Sequence, residues 1–202
     1  MSTDFEPSEY ISRLQRASEF SAAEGIAALL VTPGPDLRYL TGYHAHPLER
    51  LTCLVVPADG PVKLVVPELE VGTAQASPIG ALDIELVTWQ ETEDPYALTA
   101  KVLGEPGHGA RIAVDDRMWA VKAIELRRAM PEAEQLAAGV VLSELRMRKS
   151  EAEVTRHSST PVRRSTEFMP KCRNGSGLVE PKTRLLATSP TRSRRSTKQS
   201  TL

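Results

Sequence analysis

His44 and His46 flank a single residue beside Tyr43, and a His-X-His pair is the arrangement in this chain best suited to gripping a metal ion. Such a pair needs further ligands, and Glu49 is the only candidate close by in sequence, so the reading favoured for both histidines is a solvated loop. Asp115-Asp116 could serve as paired carboxylates in acid–base chemistry. They follow an apolar run and precede Met118-Trp119, so a turn and helix N-cap is the expected role. Glu68 and Glu70 fall where a helix should start, and the positive end of the helix dipole favours anions there. Cys53 sits in an apolar stretch and reads as packing rather than a nucleophile. Trp89 and Trp119 read as core or interface residues. The sequence has no glycine-rich phosphate loop, no Ser/His/Asp constellation and no zinc-finger cysteine spacing. No residue is therefore assigned a catalytic role or a metal.

These side chains are carried on a chain of 202 residues, 41% hydrophobic and 25% charged, long enough for a real core in one or two domains. No apolar run approaches the roughly 20 residues of a membrane helix. The acidic start, Met1 to Pro7, lacks the basic and apolar stretches of a secretory signal. With only two cysteines, Cys53 and Cys172, a reducing cytoplasm is the expected location.

Apolar residues at Tyr10, Ile11, Leu14, Ala17 and Phe20 predict a helix over Glu6 to Glu24, stopped at Gly25. Ile26 to Thr32 reads as a buried strand, broken by Pro33-Gly34-Pro35-Asp36. Strands are expected at Leu51 to Pro57 and Val62 to Val66, joined by a hairpin turn. A short helix over Glu68 to Ala76 and a strand over Leu82 to Trp89 follow. Asp94 should cap a helix over Pro95 to Leu103, with Pro95 at its first position. A strand at Arg111 to Val114, a helix at Trp119 to Ala129 and a helix or helical turn at Val140 to Arg148 complete a three-layer α/β pattern. Ser150 and Glu153 have the spacing of a capping box, the start of one more helix.

Several of these stretches together resemble the N-terminal domain of the creatinase/prolidase/Xaa-Pro aminopeptidase family, the pita-bread metallopeptidases, closest to the actinobacterial Xaa-Pro dipeptidase type. They are Tyr39-Leu40-Thr41-Gly42-Tyr43, Glu49-Arg50 before an apolar strand, Val66-Pro67-Glu68-Leu69-Glu70, Trp89, Asp94-Pro95-Tyr96-Ala97-Leu98, and Leu145 to Glu153. Each is weak alone; their order and spacing are specific. The resemblance implies a ribonuclease-H-like domain, a mixed sheet flanked by helices, over residues 8–150, after a disordered 1–7. It implies no metal in this domain and two manganese or cobalt ions in a second, catalytic domain, where a bridging hydroxide attacks the peptide bond before proline. The loop after Tyr-Leu-Thr-Gly often lies near a neighbouring subunit's active-site mouth. A substrate-rim role is thereby implied for Tyr39, Tyr43, His44 or Arg50, against buried packing for Tyr39 and a structural salt bridge for Arg50.

Residues 151–202 depart from this pattern. From Thr155 onward the chain has 11 basic against 2 acidic side chains, leaving residues 1–154 near −10 out of a total of −1. Taken at face value the segment is a disordered basic arm. A shift of one nucleotide offers a second origin: Arg (CGN), Thr (ACN) and Ser (TCN) codons then arise from codons compatible with Ala, Asp or His, and Ile, Leu or Val. Val162-Arg163-Arg164-Ser165-Thr166 becomes Gly-Ala-Ala-Ile-Asp, part of an amphipathic helical string resembling the opening of the family's catalytic domain. The expectation is an out-of-frame remnant of that domain and a chain that does not hydrolyse peptides, although the parent acted on Xaa-Pro peptides. Two other classes remain: a stand-alone binding or dimerisation module, associating with itself or a full-length relative, and a nucleic-acid-binding protein acting through the basic arm. Only Phe168 could stack on a base there, so nucleic acid is the weaker of the two. A creatinase-type C–N hydrolase is a weaker alternative for the parent.

Overall fold

The computed structural model describes residues 5–149 and 154–155. The expectations for the basic arm and for the capping box at Ser150 to Glu153 fall outside the described residues, apart from Val154 and Thr155.

Six strands form one sheet: β1 (Ala28–Val31), β2 (Cys53–Pro57), β3 (Lys63–Pro67), β4 (Glu85–Trp89), β5 (Arg111–Val114) and β6 (Glu134–Ala137), in spatial order β4-β3-β2-β1-β5-β6. Only β2 runs against its neighbours; β3 pairs parallel with β4, and β5 lies parallel between β1 and β6. The carboxyl ends of five strands and the entry to β2 therefore share one edge of the sheet.

Helices cover both faces. α1 (Pro7–Ala23), α2 (Pro35–Thr41), the short α3 (Val71–Gln75) and α6 (Gly139–Met147) pack on one; α4 (Pro95–Val102) and α5 (Ala120–Ala129) pack on the other. Strand side chains alternate between the two cores with period two. Leu29, Val31, Leu54, Val56, Leu64 and Val66 face the first, and Ala28, Leu30, Cys53, Val55 and Val65 the second. The central strands are buried on both faces, which is why they read as unbroken apolar runs. This is the mixed α/β sheet flanked by helices that the sequence predicts. Among the described residues no helix is long and apolar enough to cross a membrane.

Besides a short 3-10 turn at Pro78–Ala81, two elements escape the sequence reading. Pro33 to Asp36 does end β1, but Pro35 then opens α2, because a proline at the first helical position lacks only a donor that would be unpaired anyway. β6, Glu-Gln-Leu-Ala, has no alternation to betray it and forms because it pairs along β5. The aspartate pair also differs from expectation. Asp115 does make a turn, its Oδ1 accepting from the Arg117 amide, but Trp119 occupies the N-cap of α5 and no side chain caps it. Asp116 instead accepts at 2.8 Å from the Gly139 amide, at the start of α6. A Cβ at position 139 would lie 2.4 Å from Asp116 Oδ2, so this contact depends on glycine.

Candidate functional site

The Tyr-Leu-Thr-Gly stretch ends α2 and aims the chain into the loop that follows. Leu40 is fully buried in the first core. The Thr41 hydroxyl donates to the Leu37 carbonyl at 2.7 Å and accepts from the Tyr43 amide. Gly42 adopts φ +74°, the left-handed cap conformation, and its amide closes on the Arg38 carbonyl at 2.8 Å. A side chain there would also strike the Tyr10 ring, 2.7 Å from a Cβ. These residues therefore set the direction of the loop.

Tyr39 and Tyr43 diverge at this corner. The Tyr39 hydroxyl donates to the Leu145 carbonyl at 3.0 Å, tying α2 to α6, while its ring covers the Arg13 guanidinium at 4.3 Å. Tyr43 turns inward and is buried; loss of hydration, and secondarily the charge of Glu70, push its phenol above the ordinary range. Tyr43 thus faces the interior, and His44, the next residue, is exposed.

Arg13 is the residue that sequence inspection passed over. It lies in the apolar stripe of α1, 2% exposed, between Tyr10 and Ala17. Its Nε donates to Glu9 Oε1 at 3.1 Å and its Nη1 to the Tyr39 carbonyl at 2.7 Å, and it stacks near the rings of Phe5 and Tyr39. Guanidinium suits this site because it is planar, weakly hydrated and stays charged. Arg13, Arg38, Tyr39, His44 and His46 line one open cavity of about 780 Å³ beside α1 and α2.

The far end of the loop is fastened from the opposite face. Lys122, on α5 and 2% exposed, donates through Nζ to the carbonyls of Leu48 at 2.7 Å and Arg50 at 2.9 Å. Burial pulls its ammonium below the usual lysine range, against the opposing pull of the Glu70, Glu49 and Asp115 charges. The Trp119 ring lies 5.3 Å from Nζ, and Trp119 itself is 45% exposed, so it is no core residue. Trp89 is buried, its indole donating to the Leu51 carbonyl at 2.9 Å. Thr52 donates to Glu70 at 3.0 Å, and Arg50 pairs with Glu91, which holds its guanidinium more firmly protonated still. Arg50 therefore stands with the anchoring residues, apart from the cavity that holds Tyr39 and His44.

Lys122 also eluded the sequence reading, although a signal existed: it shares a helix face with Leu126, four residues on. Cys53 lies beneath it, buried, its thiol pushed up to about 12 mainly by burial, which keeps it neutral and inert. Among the described residues no group of three or more His, Cys, Asp or Glu could hold a metal. His44 and His46 lack further ligands, so this donor set does not fit the paired manganese or cobalt ions of the resemblance.

Known proteins share this fold. Residues 13–148 match the pattern of the Creatinase/Prolidase N-terminal domain. A probable dipeptidase PepE of Mycobacterium tuberculosis is 39% identical over 150 residues, spanning 74% of this chain and 39% of that protein. The crystal structure of the dipeptidase PepE from Mycobacterium ulcerans superposes with a TM-score of 0.70 at 40% identity, over 75% of this chain and 40% of that one. A proline dipeptidase structure from Streptococcus pneumoniae shares 26% identity with a TM-score of 0.59, over 67% of this chain and 98% of that chain. The chain thus spans about 40% of the length of the mycobacterial relatives it matches.

Proposed function

The chain belongs to the creatinase/prolidase N-terminal domain family, and from that premise we propose that it is the non-catalytic domain of a metal-dependent Xaa-Pro dipeptidase or aminopeptidase. The observation that carries this reading is the unbroken match over residues 13–148, from α1 through α6, in which the Tyr39 to Gly42 corner and the anchored loop are built as one unit. Cleavage of the bond before proline in this family draws on two metal ions in a separate catalytic domain. The contribution of the present residues is then to shape and position, with the loop from Tyr43 to Arg50 as a rim that meets substrate through His44, beside Tyr39 on α2. Tyr43 supports the rim from inside, and Arg50 holds it through Glu91.

The whole chain, given excess manganese and an Xaa-Pro dipeptide, should show no turnover above blank. Steady metal-dependent cleavage would overturn the non-catalytic assignment. Substituting residues 1–148 for the corresponding part of the mycobacterial relative should yield an active dipeptidase. A folded but inactive chimera would count against the family role. The same reading takes residues 155–202 as out-of-frame translation and places the protein in the cytoplasm. Sequencing the source DNA from codon 145 onward checks the first point: a neighbouring frame must encode a metallopeptidase domain.

A second reading, association with another copy or a full-length relative, is favoured by one observation. Leu48, Trp119, Val121 and Ile124 are exposed apolar residues on the loop end and on α5. Light scattering coupled to gel filtration should then report a dimer or larger; a monomer that also ignores a full-length relative would remove this reading.

A further inference from the structure

The cavity beside α1 and α2 collects basic groups. Of its ten described lining residues four are Arg or His, namely Arg13, Arg38, His44 and His46, and none of the ten is Asp or Glu. Arg13 is held beneath the surface by its stacked rings and by Glu9, which offsets part of its charge. The other three are different. Arg38, His44 and His46 are exposed, and among the described residues none has a side-chain hydrogen bond or ion pair. Several other surface arginines do meet carboxylates, as Arg50 meets Glu91, Arg128 meets Glu125 and Arg146 meets Asp36. Asp36, also on α2, pairs with Arg146.

We propose that this cavity is a binding site for a compact anion, a carboxylate or phosphate group, borne by a small molecule. Arg38 supplies a planar fork of N–H donors that fits two oxygens of such a group at once. His44 and His46 flank it from the loop, and the buried Arg13 adds positive potential from below. The volume, about 780 Å³, lies within the range of small-molecule sites. Phe5, Tyr10 and Tyr39 supply apolar wall for the rest of the ligand. The site is drawn from described residues of this chain and stands whether or not the loop meets a peptide, so a failed chimera leaves it untouched.

The histidine ring signals of the whole chain, followed by NMR at constant pH and low ionic strength, test it. The probes are inorganic phosphate and, separately, acetate. His44 and His46, assigned by their glutamine variants, should shift together and saturate. His108, which pairs with Glu132 away from the cavity, serves as the internal control and should stay still. Arg38→Gln should weaken the binding at least about fivefold without lowering the melting temperature. Saturation by both probes supports a general anion site; saturation by phosphate alone supports a site for phosphate carriers. Shifts that grow linearly and equally at His44, His46 and His108, or saturation that Arg38→Gln leaves unchanged, would overturn the proposal.

Discussion

Arg13 and Lys122 are buried cations on opposite faces of the sheet, and each grips the main chain at one end of the same loop. Arg13 takes the Tyr39 carbonyl where the chain approaches the loop; Lys122 takes the Leu48 and Arg50 carbonyls where it leaves. Their surroundings differ. Arg13 lies against aromatic faces with Glu9 as counter-ion, whereas Lys122 is satisfied by carbonyl oxygens beside a single indole ring. The first site favours a charge that never leaves; the second holds an amine whose proton is already loosened by burial. The stretch between them, His44 to Pro47, is exposed or half-buried, its one recorded backbone bond running from the Leu48 amide to the His46 carbonyl. A loop pinned at both ends with a lightly held tip can present side chains in a fixed place and still adapt to what it touches.

Removing the aromatic-bound cation should do the most damage. Arg13→Ala leaves a large void, removes the ion pair to Glu9 and forfeits the ring contacts, for a loss of about 3–4 kcal/mol in urea denaturation. A loss under about 1 kcal/mol would mean that the rings close over the gap, and the contrast with Lys122 would collapse. Lys122→Met keeps the volume but leaves two carbonyls without their donor, costing about 2–3 kcal/mol. Its local signature is faster amide exchange over residues 44–52, with α1 unaffected. If exchange rises equally along both, the two anchors are not separate.

Titration sharpens the same contrast. The Cys53 thiol ionises near 9 in the unfolded chain and near 12 when folded. Between those values the folded state holds the extra proton, so stability falls as pH rises, by at most about 1.4 kcal/mol per pH unit. Lys122 acts oppositely. Its folded value lies below 10.5, so just under that pH the unfolded chain holds the extra proton and stability rises with pH. Cys53→Ala should therefore lessen the fall, leaving the part due to the raised Tyr43 and Tyr96 phenols, and let more of the rise show; parallel profiles for the two proteins would show that the thiol is not what opposes the lysine. Asp94→Ala provides the smallest effect. It removes the acceptor of the Tyr96 and Ala97 amides at the start of α4, for about 1 kcal/mol, and should leave loop exchange unchanged.

Much of the sheet could be read beforehand because its central strands are apolar on both sides and its turns carry proline and glycine. The Asp94 cap and the Trp89 burial were equally readable, each being a local rule or a large apolar side chain. β6 and α2 were not: one owes its form to a neighbour's hydrogen bonds, the other to a proline that looks like a breaker and acts as a helix start. At the candidate site, Tyr39 and His44 were named from the stretch that carries them, and they do share a cavity. Arg13, Arg38 and Lys122 were missed because charge in a helix is usually solvated, and periodicity alone does not tell a buried cation from a tolerated one.

Periodicity, caps and the Tyr39 to Gly42 corner thus determined the layers, the family and the place of the loop, because these depend on neighbours a few residues apart. Which groups meet depended on tertiary structure alone. Arg13 reaches Tyr39 across 26 residues, Lys122 reaches Leu48 across 74 and Asp116 reaches Gly139 across 23. Those pairings exist only once the sheet has brought its carboxyl edge together and both helical layers have closed over it, where a buried cation must find oxygen because it has lost water.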